Sequence, residues 1–165
     1  MLITQYFSPI GTLTLAGDEH GLRHIIFPAG SRSRQAPSSW RADDGPFKGV
    51  IQQLDEYFAG DRRVFDLPLS PEGTEFQQSV WSALREVGYA RTCSYQQIAQ
   101  RIGRPKASRA VGAANGANPI PIIIPCHRVI GANGKLTGFG GGLPTKQWLL
   151  AHERGEQQLS LDYPE

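Results

Sequence analysis

Residues 120–131 have the sequence Ile-Pro-Ile-Ile-Ile-Pro-Cys-His-Arg-Val-Ile-Gly. The isoleucines before the cysteine predict a buried segment, and the two prolines fix φ and remove backbone donors there. We therefore expect Cys126 to be held at a fixed point at the edge of a hydrophobic core, beside His127. A thiol is a good nucleophile as the thiolate, and a neighbouring histidine is one of the few groups that lower its pKa. The alternative is that Cys126 only fills space in the core, as free cysteines commonly do.

Around this segment, the second half of the chain has the start and stop signals of short helices. Ser/Thr-x-x-Gln capping boxes at residues 74–77 and 94–97 each predict a helix start. Gly-Arg-Pro at residues 103–105 ends the second of these helices, and residues 106–115 predict a third. Two short helices around so tight a break indicate a helix-turn-helix, and the glycine-rich residues 131–142 are a candidate wing.

The first half of the chain predicts a sheet with one helix. Residues 1–28 predict a three-stranded meander, because turns at residues 8–11 and 18–21 separate three strand-like segments and residues 12–16 alternate with period two. Residues 28–45 have the Pro, Gly, Ser and Arg content of a loop. Apolar residues recur at helical spacing over residues 47–58, and residues 65–69 predict one more strand. The segment 67–73 contains two prolines and a glycine, and we expect it to link two domains.

These patterns predict an α/β (α+β) fold made of two small domains. We place an N-terminal sheet-plus-helix domain at residues 1–70 and a mainly helical C-terminal domain at residues 71–157. The last predicted helix starts at Thr145 and ends near Gly155. Residues 158–165 are expected to form a loose tail.

Charge is distributed unevenly along the chain, although the formal net charge is only +2. Residues 87–152 contain no Asp or Glu, so the remainder of the chain is net acidic. A basic half beside an acidic half predicts a polyanionic partner such as nucleic acid, and the alternative is a basic face without a partner. The basic residues of this stretch are Arg91, Arg101, Arg104, Lys106, Arg109, Arg128, Lys135 and Lys146.

No apolar run approaches the ~20 residues that a membrane span needs, and the N-terminus lacks the regions of a secretion signal. We therefore expect a cytoplasmic protein with no membrane partner, whose two cysteines stay reduced. Cys93 lies outside any motif and is predicted to be structural. Residues 1–92 contain no cysteine, and His20 and His24 alone do not make a zinc site, so we predict no metal and no cofactor.

Five segments occur in the order and at the spacing of one protein family. They are Ser94-Tyr-Gln-Gln-Ile-Ala99, Ser108-Arg-Ala-Val-Gly112, Asn118-Pro-Ile-Pro121, Pro125-Cys-His-Arg-Val-Ile-Gly131 and Trp148-Leu-Leu-Ala-His-Glu153. On these segments the chain resembles the O6-alkylguanine-DNA alkyltransferases, also called methylated-DNA–protein-cysteine methyltransferases. The resemblance is strong over residues 74–155 and loose over residues 1–70. It implies a ribonuclease-H-like N-terminal domain and a C-terminal winged helix-turn-helix-like domain.

The resemblance also implies a reaction, which is DNA repair by direct reversal. The O6-alkyl group of guanine would move irreversibly to Cys126, so that each molecule acts once. The partner would be double-stranded DNA, bound through the minor groove by a monomer and with the damaged base flipped out. By the same resemblance, His127 acts as a base through a bridging water and Glu153 orients it. Asn118 would fix the turn before Cys126, and Tyr95 would donate to N3 of the flipped guanine.

The third predicted helix is informative about DNA recognition. Its small side chains offer little to base edges in the major groove, and they would let the helix approach the minor groove closely. Arg109 is the exception. The resemblance places it in the space left by the flipped base, and the alternative is a phosphate contact. The remaining DNA-binding residues implied are Ser94, Ala107, Ser108, Gly112, Arg128 and Lys135, and the substrate-pocket residues are Tyr95, Val129, Phe139 and Gly140.

One departure from the family and two other classes of function stay open. Phe139-Gly140 stands where well-known animal members have Tyr-Ser, so a backbone N–H is kept and a serine hydroxyl is lost. One alternative class is a DNA-binding protein without activity: Cys126 counts against a non-catalytic DNA-damage-binding relative, and the small-sided helix counts against an ordinary winged-helix regulator. The other alternative is a Cys-His-Glu hydrolase, against which the acid-free basic stretch counts.

Overall fold

The N-terminal half forms a four-stranded sheet with the strand order β3-β2-β1-β4. The computed structural model describes residues 1–30, 33, 35–156 and 158–161. The strands are β1 (Leu2–Ser8), β2 (Gly11–Asp18), β3 (Gly21–Ile26) and β4 (Arg41–Ala42). The first three are the predicted antiparallel meander, with φ angles of 101° at Gly11 and 134° at Gly21 that favour glycine at these turns. β4 pairs in parallel with β1 inside the segment expected to be a loop.

Helix α1 (Lys48–Phe58) packs against this sheet after a 3₁₀ turn at Gly45–Phe47. Its contact with β1 includes a hydrogen bond of 2.7 Å from the Tyr6 hydroxyl to Asp55. The strand predicted at residues 65–69 is wrong, because only Leu69 forms a bridge, to Leu22 of β3. A proline inside the segment has no N–H to donate to a neighbouring strand.

The C-terminal half contains four helices and a small parallel sheet. The helices are α2 (Glu75–Leu84), α3 (Tyr95–Arg101), α4 (Ser108–Gly116) and α5 (Leu143–Glu153), and the strands are β5 (Cys93–Ser94) and β6 (Val129–Ile130). Both predicted capping boxes are present, at the starts of α2 and α3. α3 and α4 form the helix-turn-helix, and Gly103 has the positive φ of 76° that lets the chain turn between them. α5 begins two residues before the predicted Thr145, with a proline in its first turn.

The two halves share one hydrophobic core, which brings α1 next to α5. The Trp148 ring of α5 lies 5.8 Å from that of Phe58 in α1. Residues 158–161 are not loose, because the indole N–H of Trp148 donates to the carbonyl of Leu159 and the Leu161 N–H donates to Pro9. Residues 162–165 of the predicted tail lie outside the described residues. In the described part of the chain, no helix is long and apolar enough to span a membrane.

Candidate active site

Asn118 bridges two backbone groups of the turn that leads to Cys126. The side-chain amide of Asn118 donates to the Ile124 carbonyl at 2.8 Å, and its oxygen accepts from the Ile120 N–H at 3.0 Å. This is the contact with backbone groups that we expected of Asn118. Within the turn, Ile122 has a φ of +74°, a conformation that a β-branched residue adopts only when its surroundings impose it. The structure therefore holds this turn against local strain.

Cys126 starts a short 3₁₀ turn that ends at Arg128, and only 5% of its surface is exposed. It borders a cavity of about 240 Å³, whose other walls include Phe139 and Gly140 of the predicted substrate pocket. Tyr95 and Val129, which we also assigned to that pocket, do not line this cavity. The cavity lies between the two domains, because its remaining walls include residues 24–27 at the end of β3.

His127 and Glu153 form a buried pair beside this turn. The Nε2 atom of His127 lies 2.7 Å from Oε2 of Glu153, and neither side chain is open to solvent. A carboxylate only accepts hydrogen bonds, so the proton is assigned to Nε2 and Nδ1 carries the free lone pair. That Nδ1 atom is buried and has no hydrogen-bond partner among the described residues. The structure thus provides a neutral imidazole with one nitrogen able to take a proton.

The electrostatics of the pair support this assignment. Burial raises the pKa of Glu153, but the hydrogen bonds and charges of His127 and Arg128 outweigh it and hold that pKa well below its ordinary range. Burial is the largest influence on the pKa of His127 and lowers it; with the charges of Arg128 and Lys146 it outweighs the hydrogen bond and charge of Glu153, which raise that pKa. Near neutral pH the ground state is therefore a carboxylate beside a neutral histidine.

Arg128 is placed differently from our prediction that it binds DNA. It is buried, and its guanidinium donates to Glu153 from Nε at 2.8 Å and from Nη2 at 3.0 Å. Its Nη1 donates to the Val87 carbonyl at 2.7 Å. All three guanidinium nitrogens thus have partners inside the protein, so a phosphate contact by Arg128 is incompatible with this conformation. The physical reason is that the Glu153 carboxylate needs a buried cation to balance its charge.

Lys146 is a functional candidate that the sequence analysis did not single out. Its side chain is fully buried in α5, and its ammonium donates to the Val129 carbonyl at 2.6 Å. Among the described residues, no carboxylate lies within ion-pair distance of it. Burial lowers the pKa of Lys146, and the one opposing influence is the negative charge that Cys126 gains as a thiolate. Lys146 shares a helix face with Leu149 and Leu150, a spacing that already marks its position as core-facing.

The helix-turn-helix presents Arg109 at its surface. Arg109 is exposed on α4, with the small residue Ala110 beside it, and Lys135 is exposed on the wing. Ser94 caps α3 by accepting from the Gln97 N–H, and Ser108 donates to Gln96. Ala107 precedes α4 and is half-buried. These DNA-binding predictions concern contacts with a partner and stay predictions.

Tyr95 joins the helix-turn-helix to the wing. Its hydroxyl forms a hydrogen bond with the hydroxyl of Thr137, and its ring faces Gly112 of α4, where an added Cβ would lie 3.8 Å away. The wing is also packed against the N-terminal domain. A Cβ on Gly30 would lie 2.4 Å from the carbonyl oxygen of Gly140, so the two backbones approach this closely only because residue 30 is a glycine.

A helix-turn-helix with a small-sided second helix, next to a buried cysteine with a histidine–glutamate pair, defines a DNA-binding protein with a nucleophilic thiol. Residues 75–155 match the family described as 6-O-methylguanine DNA methyltransferase, DNA binding domain, and residues 1–71 match its ribonuclease-like domain. The chain therefore belongs to the 6-O-methylguanine-DNA methyltransferase family, which repairs DNA by transferring the alkyl group to a cysteine of the protein itself. The predicted two-domain fold and function are confirmed by these matches.

Individual relatives agree with the family assignment. The chain is 56% identical over 146 residues to the methylated-DNA–protein-cysteine methyltransferase of Methanosarcina acetivorans, covering 88% of this chain and 94% of the relative. It is 46% identical over 155 residues to that of Haemophilus influenzae, covering 92% and 85%. Among solved structures, Mycobacterium tuberculosis OGT in complex with DNA is 48% identical and superposes with a TM-score of 0.88 over 94% of each chain.

Proposed function

We propose that Cys126 is the residue that accepts the alkyl group and that His127 and Glu153 are its base and orienting acid. The observation that carries this proposal is the buried contact of His127 Nε2 with Glu153, which leaves Nδ1 to accept a proton. The thiol proton of Cys126 passes to Nδ1 through one water, which leaves a thiolate next to the cavity.

The transfer step is a displacement at the alkyl carbon on O6 of the flipped guanine. A bond forms from the Cys126 sulfur to that carbon while the bond from the carbon to O6 breaks, and the electron pair stays on the guanine. The proton that His127 took from the thiol then passes to the guanine anion, which leaves both the guanine and His127 neutral. The product is a thioether, which has no easy route back to a thiol, and each molecule acts once.

Lys146 and Tyr95 serve the two ends of this displacement. Lys146 supplies a buried positive charge that stabilises the thiolate of Cys126. Arg128 does not serve this purpose, because its charge is already balanced by Glu153. Tyr95 exchanges its contact with Thr137 for N3 of the guanine and stabilises the leaving anion.

The proposed partner is double-stranded DNA with O6-alkylguanine. α4 lies in the minor groove, Arg109 takes the place of the flipped base, and Ser94, Ala107, Ser108, Gly112 and Lys135 contact the backbone. The exposed basic side chains of residues 87–152 supply the attraction to the phosphates. We place the protein in the cytoplasm as a monomer, associated with the chromosome through DNA, with domains at residues 1–70 and 71–157.

The test is the mass of the intact protein after incubation with excess O6-methylguanine DNA. We expect a gain of one methyl group and no more, which peptide mapping places on Cys126 and not on Cys93. Burial raises the pKa of Cys93, which favours its unreactive thiol form and makes it an internal control. Cys126→Ser is expected to bind DNA and to gain no methyl group. Repeated turnover, or a methyl group on Cys93, would contradict the proposal.

A further inference from the structure

Tyr57 connects the N-terminal domain to the pair that serves Cys126. It lies on α1, and its hydroxyl donates to Oε2 of Glu153 at 2.6 Å, across 96 positions of the chain. The same oxygen accepts the Nε2–H of His127 at 2.7 Å. The remaining donors to Glu153 are Arg128 and the Ala90 N–H, both from the C-terminal domain. Tyr57 is thus the only described side chain of residues 1–70 that binds this carboxylate.

We propose that Tyr57 is a positioning residue for alkyl transfer, which shares Oε2 of Glu153 with His127 and keeps the imidazole neutral. The N-terminal domain would then take part in the reaction through this one hydroxyl. The inference rests on the proposed function, in which His127 takes the thiol proton.

The hydroxyl of Tyr57 is not needed for packing or for charge balance. The ring alone makes the aromatic contacts, with centroid distances of 5.1 Å to Phe58, 5.5 Å to Phe65 and 5.1 Å to His152. Arg128 already neutralises Glu153 through two hydrogen bonds. The remaining effect of the hydroxyl is on Oε2 itself, because each added donor makes that oxygen a weaker acceptor for His127.

The charged groups around the pair shift the pKa of His127 in opposite directions, and further titratable groups surround Tyr57. Arg128 on the 3₁₀ turn and Lys146 on α5 lower the pKa of His127, and Glu153 raises it. Tyr89 faces Tyr57 and Glu153 from the loop after α2, with Arg63 stacked 5.3 Å above its ring, and His152 of α5 binds the Tyr57 carbonyl at 2.7 Å.

Tyr57 itself stays a donor across the working pH range. Burial and then the charge of Glu153 raise the pKa of Tyr57 well above its ordinary value. The hydroxyl therefore does not titrate where His127 does, and its removal changes only the number of donors on Oε2. With one donor fewer, Oε2 becomes a better acceptor and stabilises protonated His127.

The experiment measures the single-turnover rate of Cys126 alkylation by free O6-benzylguanine between pH 4.5 and 8 in Tyr57→Phe. We expect the acid limb of the rate profile to move up by about half a pH unit, which is the effect of one modest hydrogen bond. Below the limb the rate should fall about threefold, and on the plateau it should be unchanged. The matched control is Tyr6→Phe, which removes a similar hydroxyl–carboxylate bond, to Asp55, within the N-terminal domain.

A third variant, His127→Gln, distinguishes a failure of the role of Tyr57 from a failure of the proposed function. If His127→Gln retains the acid limb of the parent protein, His127 is not the base and the proposed function fails. If His127→Gln abolishes the limb while the profiles of Tyr57→Phe and Tyr6→Phe both match the parent, only the role of Tyr57 is overturned. An equal shift in Tyr57→Phe and Tyr6→Phe would also overturn it, because a loss of stability alone would then explain the effect.

A second measurement serves if Tyr57→Phe does not fold. Incorporation of 3,5-difluorotyrosine at position 57 keeps the ring and gives a more acidic, stronger donor. We expect the acid limb to move down, opposite to its movement in Tyr57→Phe. An unmoved limb, or one that moves up, would overturn the proposal.

Discussion

Glu153 and Lys146 are two buried charges on the same helix, α5, and their surroundings differ. The Glu153 carboxylate accepts from Tyr57, His127, Arg128 and the Ala90 N–H. Among the described residues, the Lys146 ammonium donates to one group, the backbone carbonyl of Val129. A buried charge with a full set of partners can contribute to stability, whereas one with a single neutral partner costs stability. The difference agrees with the proposed roles, in which Glu153 serves both the fold and the reaction and Lys146 serves the reaction.

Glu153→Gln is expected to have the largest effect on stability, because it removes the buried charge that has more hydrogen-bond partners. It leaves the guanidinium of Arg128 buried without its counter-ion, and the free energy of unfolding should fall by about 3–5 kcal/mol. Urea denaturation at neutral pH measures this. Glu86→Gln is the matched control, because it removes an exposed partner of Arg101, and should cost about 1 kcal/mol or less. Equal losses in the two variants would mean that Glu153 is no better satisfied than a surface acid.

Lys146→Met is expected to act in the opposite direction on stability. A buried ammonium with one carbonyl partner is replaced by an apolar chain of similar length, so the variant should be at least as stable as the parent. The thiol of Cys126 should lose its positive neighbour, and its pKa should rise by about one unit, with about tenfold slower alkylation at neutral pH. Iodoacetamide reaction rates against pH measure that thiol pKa. An unchanged thiol pKa, or a marked loss of stability, would show that Lys146 is structural.

The contrast also explains which parts of the site the sequence could predict. Cys126 and His127 are neighbours in the chain, and each capping box, at residues 74–77 and 94–97, spans four residues. Short sequence patterns therefore predict these features. The hydroxyl of Tyr57 meets Glu153 across 96 positions, and no spacing rule predicts such a contact. Arg128 is among the predicted DNA-binding residues, yet it is buried because Glu153 needs a counter-ion. Lys146 had a readable signal, since a lysine on the core-facing side of a helix requires an explanation.

The pH dependence of stability provides the smallest expected effect. It distinguishes the two charges, because the stabilisation by Glu153 is lost at low pH and the destabilisation by Lys146 is lost at high pH. The folded pKa of Glu153 is depressed, so its contribution is complete above its unfolded pKa of about 4.3 and is lost as the pH falls from there. The difference in unfolding free energy between the parent and Glu153→Gln should therefore shrink below about pH 4.

The folded pKa of Lys146 is also lowered, but Lys146 is a base, so it destabilises the folded state while it is charged. That cost should fade as the pH rises towards its unfolded pKa of about 10.4, where the parent and Lys146→Met should converge. Urea denaturation of the three proteins from pH 3 to pH 11 measures both differences. Convergence of both variants with the parent at the same end of the pH range would contradict the contrast between a satisfied and an unsatisfied buried charge.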